Sequence, residues 1–367
     1  MELLVVAGEA SGDRHAAEVV SALKARRPEL RFFGMGGERL KAAGVELVYG
    51  SHEISVMGLT EVLPKIPRIL RVLKELAAEA ERRKPAAALL VDVPDFNLRL
   101  AERLKRRGIK VAWYISPMVW AWRPGRVRQI AQRVDRMLCI LPFEEEFYRS
   151  TPVRARYVGN PVVEQVPPPD DTASFRRALG LPLEGPSVAM LPGSRRSEIA
   201  RILPTLAEAA RLIEARAVVP VAPGIDRAEI ARAFEGLDAH LVDGRAAEVV
   251  GACDVAVVAS GTAALEAGLM QRPLVVVYRV APLSYVVGRA LVKLEHVSLI
   301  NLLAGRGVVP ELLQGAFTPE AVAGHVETLW SGPARARQLA GLAEVRAKLG
   351  GPGAAGRAAE AVLELLP

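Results

Sequence analysis

Two cysteines in 367 residues, Cys139 and Cys253, leave no material for a disulfide framework, and each lies in an apolar, strand-like run rather than a metal-binding spacing. That scarcity fits a reducing cytoplasm. The five histidines, His15, His52, His240, His296 and His325, are equally scattered and show no metal-ligand spacing. No apolar run reaches the ~18 residues that cross a bilayer, and Met1-Glu2-Leu3-Leu4-Val5-Val6 lacks the basic leader of a signal peptide. The expectation is a protein neither secreted nor integral to a membrane. Two nucleotide fingerprints are missing as well. Neither Gly8-Glu9-Ala10-Ser11-Gly12-Asp13 nor Gly34-Met35-Gly36-Gly37 completes G-x-G-x-x-G, and Leu191-Pro192-Gly193-Ser194-Arg195 lacks the G-K-[ST] ending of a Walker loop. The carboxylates of Val91-Asp92-Val93-Pro94-Asp95 are spaced D-x-x-D, not the D-x-D with which metal-dependent sugar transferases hold a cation. Independence from metal and cofactor is therefore expected.

What is present is an alternation of buried-type strands and helical patterns. With 51% hydrophobic and 24% charged residues, the chain has enough apolar mass to fill about two domains. Strand-like runs recur at Leu3–Ala7, Arg31–Gly34, Val45–Tyr49, Ala87–Val93, Val111–Ile115, Arg136–Leu141 and Arg156–Val158. They resume at Val188–Leu191, Ala217–Val221, Ala239–Val242, Val255–Ala259 and Leu274–Tyr278. Such alternation predicts mostly parallel sheets covered on both faces. The prolines of Val166-Pro167-Pro168-Pro169-Asp170-Asp171 forbid regular structure and mark a linker. The expected fold is α/β, with two doubly wound Rossmann-like domains at residues 1–163 and 164–345. Residues 346–367 form a helical tail.

In doubly wound sheets ligands bind where strands end, and three strings sit at such ends. Asp92 is delivered to the carboxyl edge by the strand before it, with Pro94 turning the chain, so its carboxylate can take a proton from a bound hydroxyl. Asp95 has the plainer reading of a cap for a helix beginning near Asn97. Leu191–Arg195 and Ser260-Gly261-Thr262 each end a strand in a glycine turn that opens a helix. Free N–H groups there bind anions, and Arg195 adds a charge-assisted contact. Each alone reads equally well as an ordinary N-cap; two in one domain favour a diphosphate. Glu266, one turn into the second helix, suits the vicinal hydroxyls of a ribose. In the Gly8–Asp13 turn, Ser11 or Asp13 can cap the next helix, or a ligand can rest on its amides.

Charge is uneven. Residues 1–165 hold 28 Lys and Arg against 20 Asp and Glu, while residues 166–367 hold 20 against 21, so the whole net charge of +7 originates in the first half. Residues 101–136 alone carry ten basic residues, Arg123 among them, with only Glu102 and Asp135 as acids. Such a patch attracts nucleic acid, anionic lipid or a phosphorylated substrate, or it is simply a solvated face. Nucleic acid is disfavoured because the aromatics of Tyr114–Trp122 form one loop and no recognition motif accompanies them. The helix through Ile66–Ala77 places Ile66, Ile69, Leu70, Leu73, Leu76 and Ala77 on one face and Arg68, Arg71 and Lys74 opposite. It packs on a sheet or lies on a membrane. Tyr285-Val286-Val287, with Leu291 and Val292 between Arg289 and Lys293, poses the same choice.

Taken together these strings resemble the bacterial lipid-A-disaccharide synthase family, two-domain glycosyltransferases of the GT-B type. The resemblance runs nearly end to end and also takes in Ser55-Val56-Met57-Gly58-Leu59, Ser116–Trp122, Leu141-Pro142-Phe143-Glu144, Asn301-Leu302-Leu303-Ala304-Gly305 and Pro310-Glu311-Leu312-Leu313-Gln314. Asn160 stands where the family often has histidine, and Ile300 replaces a common proline. The resemblance implies transfer of 2,3-diacylglucosamine from UDP-2,3-diacylglucosamine to the 6-hydroxyl of 2,3-diacylglucosamine 1-phosphate, with inversion, giving a β-1,6 disaccharide and UDP. Asp92 and Arg195 would be catalytic. Glu9, Ser11, Gly12, Asp95, Asn97, Gly193, Ser194, Ser260, Gly261, Thr262, Glu266, Asn301 and Gln314 would bind substrate. The acylated substrates imply a cytoplasmic protein held peripherally on the anionic inner face of the cytoplasmic membrane through Arg68, Arg71 and Lys74. A homo-oligomer is left open. Within the same fold the rivals are a UDP-sugar epimerase and the transferase that adds N-acetylglucosamine to lipid-linked peptidoglycan precursors.

Overall fold

A computed structural model describes the chain except for residues 55–58, 123–124, 169–170 and 282–294. The Ser55–Gly58 string, Arg123, part of the proline linker and the Tyr285–Val292 segment with Lys293 therefore lie outside the described residues. The chain forms two compact units: residues 1–161 joined by 351–367, and residues 162–350.

The first unit is built on a seven-stranded parallel sheet. Its strands are β1 (Glu2–Ala7), β2 (Arg31–Gly36), β3 (Val45–Gly50), β4 (Ala87–Val91), β5 (Lys110–Tyr114), β6 (Arg136–Cys139) and β7 (Ala155–Tyr157), in the order β3-β2-β1-β4-β5-β6-β7. The helices between them are α1 (Ala10–Arg26), α2 (Glu38–Ala42), α3 (Leu59–Arg83), α4 (Pro94–Lys105), α5 (Val119–Trp122), α6 (Arg126–Arg133) and α7 (Pro142–Arg149). Because side chains alternate along a strand, Leu4, Val6, Ala88 and Leu90 join one core with Leu73 and Leu76 of α3 and Leu100 of α4. Leu3, Val5, Leu89 and Val91 join the opposite core with Val19 and Leu23 of α1. That second core is completed from the far end of the chain. Ala358, Ala361 and Val362 of the last helix, Ala354–Leu363, pack into it, and Glu364 pairs with Arg136 and Arg156.

The second unit repeats the plan with six parallel strands: β8 (Ser187–Leu191), β9 (Arg216–Val221), β10 (Ala239–Asp243), β11 (Val255–Ala259), β12 (Leu274–Tyr278) and β13 (Glu311–Leu313), in the order β10-β9-β8-β11-β12-β13. Its first helices are α8 (Val162–Gln165), α9 (Thr172–Leu179), α10 (Arg196–Leu212), α11 (Arg227–Ala233), α12 (Ala246–Ala252) and α13 (Thr262–Leu269), followed by helices at Leu299–Ala304, Pro319–Trp330 and Gly332–Leu349. β8 and β11 are buried at every residue, as continuous apolar runs between two helical layers should be. The expectation of two doubly wound sheets holds. β13 is an addition to it: three residues after Pro310 are too few to show strand periodicity, and pairing of Val276–Tyr278 with Glu311–Leu313 defines the strand.

Candidate active site

Strand order reverses direction between β1 and β4, and this is where a doubly wound sheet opens a crevice at its carboxyl edge. The register pairs Ala7 with Val91, so the turns beginning at Gly8 and Asp92 leave the sheet side by side. They are tightly packed. A Cβ on Gly8 would lie 2.7 Å from side-chain atoms of both Ile54 and Val93, and one on Gly12 would meet the Asp92 Cβ at 3.8 Å. Glu9 and Ser11 are exposed at the start of α1, and Gly12 is buried beneath them.

Helix α1 begins at Ala10 with Glu9 as its N-cap residue, and that cap makes no side-chain hydrogen bond. The expected capping of this helix by Ser11 or Asp13 is corrected, since both lie inside the first turn. Asp13 instead turns inward, 4% exposed, and accepts from the backbone N–H groups of Gly37 (2.6 Å), Arg39 (3.0 Å) and Leu40 (3.3 Å). It caps α2, a neighbour in space and not in sequence.

Asp92 is half-buried and its backbone, like that of Val93, is left-handed, with φ of +54° and +42°. Burial raises its carboxyl above the usual carboxylate range, while the backbone N–H of Val93 and the charge of His15 pull it back. His15, buried on α1, is a neighbour that the spacing of histidines did not reveal. Asp95 does not cap a helix starting near Asn97: α4 starts at Pro94, and Asp95 is exposed in its first turn and ion-paired with Arg126. Asn97 is fully buried, its Nδ2 donating to the carbonyls of Val91 (3.2 Å) and Asp92 (2.6 Å). It supports the turn from within.

Beyond β5 and β6 lies a buried polar cluster. Glu144 of α7, 1% exposed, accepts from Trp120 Nε1 (3.2 Å) and from the N–H groups of Leu141 (3.1 Å) and Ile140 (3.3 Å). Burial pushes its carboxyl up to about 7. Ser116 Oγ and Tyr148 Oη lie 3.0 Å apart beside it, and Trp120 meets Phe143 edge to face at 4.8 Å. The aromatic loop is thus fastened from within. Its outer residues Met118 and Trp122 stay 47% and 38% exposed.

On α3, Leu73, Leu76 and Ala77 are core, whereas Ile66 and Leu70 are 39% and 42% exposed. The apolar stripe is therefore only partly used by the sheet. Arg71 and Lys74 are exposed, and Arg68 is held by both oxygens of Glu53 at 2.8 Å.

The second unit has its own switch point, where β8 and β11 pair Leu191 with Val258. The Pro192–Arg195 and Ser260–Gly261 turns emerge together, and a Cβ on Gly193 would lie 3.7 Å from that of Ala259. Gly193 and Gly261 have φ of +112° and +149°, so the turns demand glycine. Ser194, Gly261 and Thr262 are exposed, while Ser260 and Glu266 are half-buried. Two helices, α10 and α13, open on these turns without side-chain caps, directing first-turn N–H groups outward. Arg195 is the N-cap residue of α10, its side chain 67% exposed and 3.2 Å from Glu198.

Asn301, expected to bind substrate, lies inside the second unit. It is 1% exposed, donates to Val309 O (2.9 Å) and Glu311 (2.7 Å), and accepts from the N–H groups of Val308 (2.7 Å) and Val309 (2.9 Å), so its polar capacity is spent on joining its helix to β13. Gln314 follows β13 with φ of +51°, at the carboxyl edge beside Arg279, which sequence reasoning missed. Arg279 donates to Thr205 Oγ1 (2.7 Å) and stacks over Phe317. Among the described residues no group of three or more His, Cys, Asp and Glu could hold a metal ion.

Residues 3–352 match the family model described as lipid-A-disaccharide synthetase. A lipid-A-disaccharide synthase from Myxococcus xanthus is 64% identical over 373 residues, covering 100% of this chain and 97% of that protein. Among solved structures, the glycotransferase of kitacinnamycin superposes with a TM-score of 0.66 at 17% identity, covering 100% of this chain and 99% of that one. A UDP-GlcNAc 2-epimerase from Neisseria meningitidis bound to UDP-GlcNAc gives 0.59 at 13% identity, again over 100% and 99%.

Proposed function

Since the chain belongs to the lipid-A-disaccharide synthase family, a hexosyltransferase family of GT-B fold, we propose that its two switch points divide one glycosyl transfer between them. The first unit takes the acceptor, 2,3-diacylglucosamine 1-phosphate, and the second takes UDP-2,3-diacylglucosamine. The observation that carries this division is the placement of Asp92: a half-buried carboxylate on a left-handed turn at the crevice of the first sheet, with amide-rich turns at the crevice of the second.

Burial that raises the Asp92 carboxyl makes its ionised form a stronger base. Asp92 accepts the proton of the acceptor 6-hydroxyl as that oxygen attacks the anomeric carbon, and a single displacement inverts the configuration to β. Charge then builds on the departing UDP. The exposed Arg195, the N–H groups that open α10 and α13, and Thr262 receive it; in comparable sites one such donor is worth roughly 2.7–4 kcal/mol. Glu266 takes the ribose hydroxyls, and Gln314 completes the donor side. The exposed Ile66 and Leu70, with Arg71 and Lys74, seat the first unit on the anionic inner face of the cytoplasmic membrane.

Mass spectrometry and NMR of the product formed from the two acylated substrates test the reading. Equimolar UDP and a β-1,6-linked disaccharide 1-phosphate are expected. An α linkage, release of free sugar, or epimerised UDP-sugar with no disaccharide would overturn it.

A further inference from the structure

We propose that Asn97 is a positioning residue for the reaction, holding the Asp92–Val93 turn in the conformation that presents the Asp92 carboxylate at the crevice. The proposal rests on the assignment of Asp92 as the base.

Two successive non-glycine residues with left-handed φ are uncommon, and the second, Val93, is β-branched, for which this region is least favourable. The turn therefore has to be held by its surroundings. Pro94, at the first position of α4, fixes the exit, and the N–H of Asp92 donates to Tyr114 O at 3.2 Å, fixing the entry. What spans the turn is Asn97. Its Nδ2 donates to the carbonyl before it (Val91, 3.2 Å) and to the carbonyl within it (Asp92, 2.6 Å), while its own N–H closes the first helical bond onto Val93 O at 3.0 Å.

The side chain is used one-sidedly. Asn97 is 0% exposed, and its Oδ1 is buried with no hydrogen-bond partner among the described residues. A leucine would avoid that orphaned oxygen, and an aspartate would set a carboxylate against two carbonyl oxygens. Only the amide donor suits the turn. Relaxation of the turn would also be felt at Gly8, because the Val93 side chain occupies the space beside it.

The test compares Asn97→Ala and Asn97→Ser with Leu98→Ala in the full chain, each assayed at the same interval below its own unfolding midpoint. Leu98 is equally buried in α4, so its truncation reproduces the loss of packing without touching the turn. Asn97→Ala is expected to lower kcat 10- to 100-fold with both KM values within twofold of wild type, and Asn97→Ser, which keeps a shorter donor, is expected to fall between. A readout that lost packing alone would not move is the pH profile. Freed from the turn, Asp92 gains water, its carboxyl drops toward the ordinary range, and the acid limb of the kcat profile moves to lower pH. His15 is the titratable neighbour bearing on Asp92 and is unaltered in every variant. If Asn97→Ala does not fold, the same shift is read from Asn97→Ser. Kinetics and pH profile indistinguishable from Leu98→Ala, or a loss confined to KM, would overturn the inference. An Asp92→Asn enzyme of normal rate would instead refute the underlying assignment, so the two failures are separable.

Discussion

Asp13 belongs to the Gly8–Asp13 string that borders the crevice, yet its carboxylate is engaged by the start of α2, and replacing it separates a ligand contact from a structural one. Three backbone N–H groups, those of Gly37, Arg39 and Leu40, depend on this carboxylate. Hydrogen bonds to a charged acceptor contribute about 1.5–3 kcal/mol each in favourable cases, and loss of a helix cap typically costs about 1 kcal/mol. The bond to Leu40 is the longest at 3.3 Å, and the start of α2 borders solvent at Glu38 and Arg39, so the three do not add in full. A loss of about 3 kcal/mol is expected for Asp13→Ala. Asp13→Asn should lose about half as much: one oxygen can still serve Gly37 and Leu40, while its NH₂ confronts the Arg39 N–H. Urea unfolding followed by circular dichroism measures this, and the loss should appear in the transition of the first unit. Activity per folded molecule should stay within a few-fold of wild type. Unchanged unfolding together with a tenfold rise in either KM would refute the structural role and point to a substrate contact instead.

Burial pushes the Glu144 carboxyl up to about 7, well above the ordinary carboxylate range, so the folded state holds the proton more tightly than the unfolded chain. Its contribution is fully present below about pH 4.5 and is lost as pH rises through 7, up to about 3 kcal/mol. Wild-type stability measured relative to Glu144→Gln should fall across that window, and parallel curves would contradict the assignment. Gly34→Ala should abolish accumulation of folded protein, because the new Cβ would lie 2.0 Å from Val5 O, main chain that cannot yield, at a φ of +149°; soluble, active variant would refute this. Reversing Arg68, Arg71 and Lys74 to glutamate should weaken sedimentation with anionic vesicles at low salt, each basic residue near such a surface contributing about 1 kcal/mol. Equal binding at all salt concentrations would leave Ile66 and Leu70 as the adsorbing groups.

Much of this architecture is legible in the chain because parallel strands buried on both faces read as uninterrupted apolar runs. Val255–Ala259 is an example, and the glycine turns after such runs fall at the crevices. The turn at Ser260–Gly261 and the strand end at Asp92 were readable for that reason. What escaped depends on partners distant in sequence. Asp13 finds the start of α2 some 24 residues on, and Asn301 finds Glu311 across a loop. Glu144 meets Trp120 over a separation of 24 residues. Composition marks these residues as polar and near a motif; only packing shows that Asn97 and Asn301 point inward. The last helix is similar. Its alanines predict a helix, but nothing local says that Ala358 and Val362 complete the core begun by Leu3 and Val5.

The central claim is that Asp92 removes the acceptor proton. Asp92→Asn keeps the size of the side chain and loses the base, so the direct measurement is the rate of disaccharide formation with both substrates saturating, alongside UDP affinity and the unfolding midpoint of the same preparation. The expected result is a rate reduced about 10²- to 10⁴-fold, with UDP affinity and stability close to wild type. A variant that forms disaccharide at the wild-type rate would contradict the claim and remove Asp92 from the chemistry.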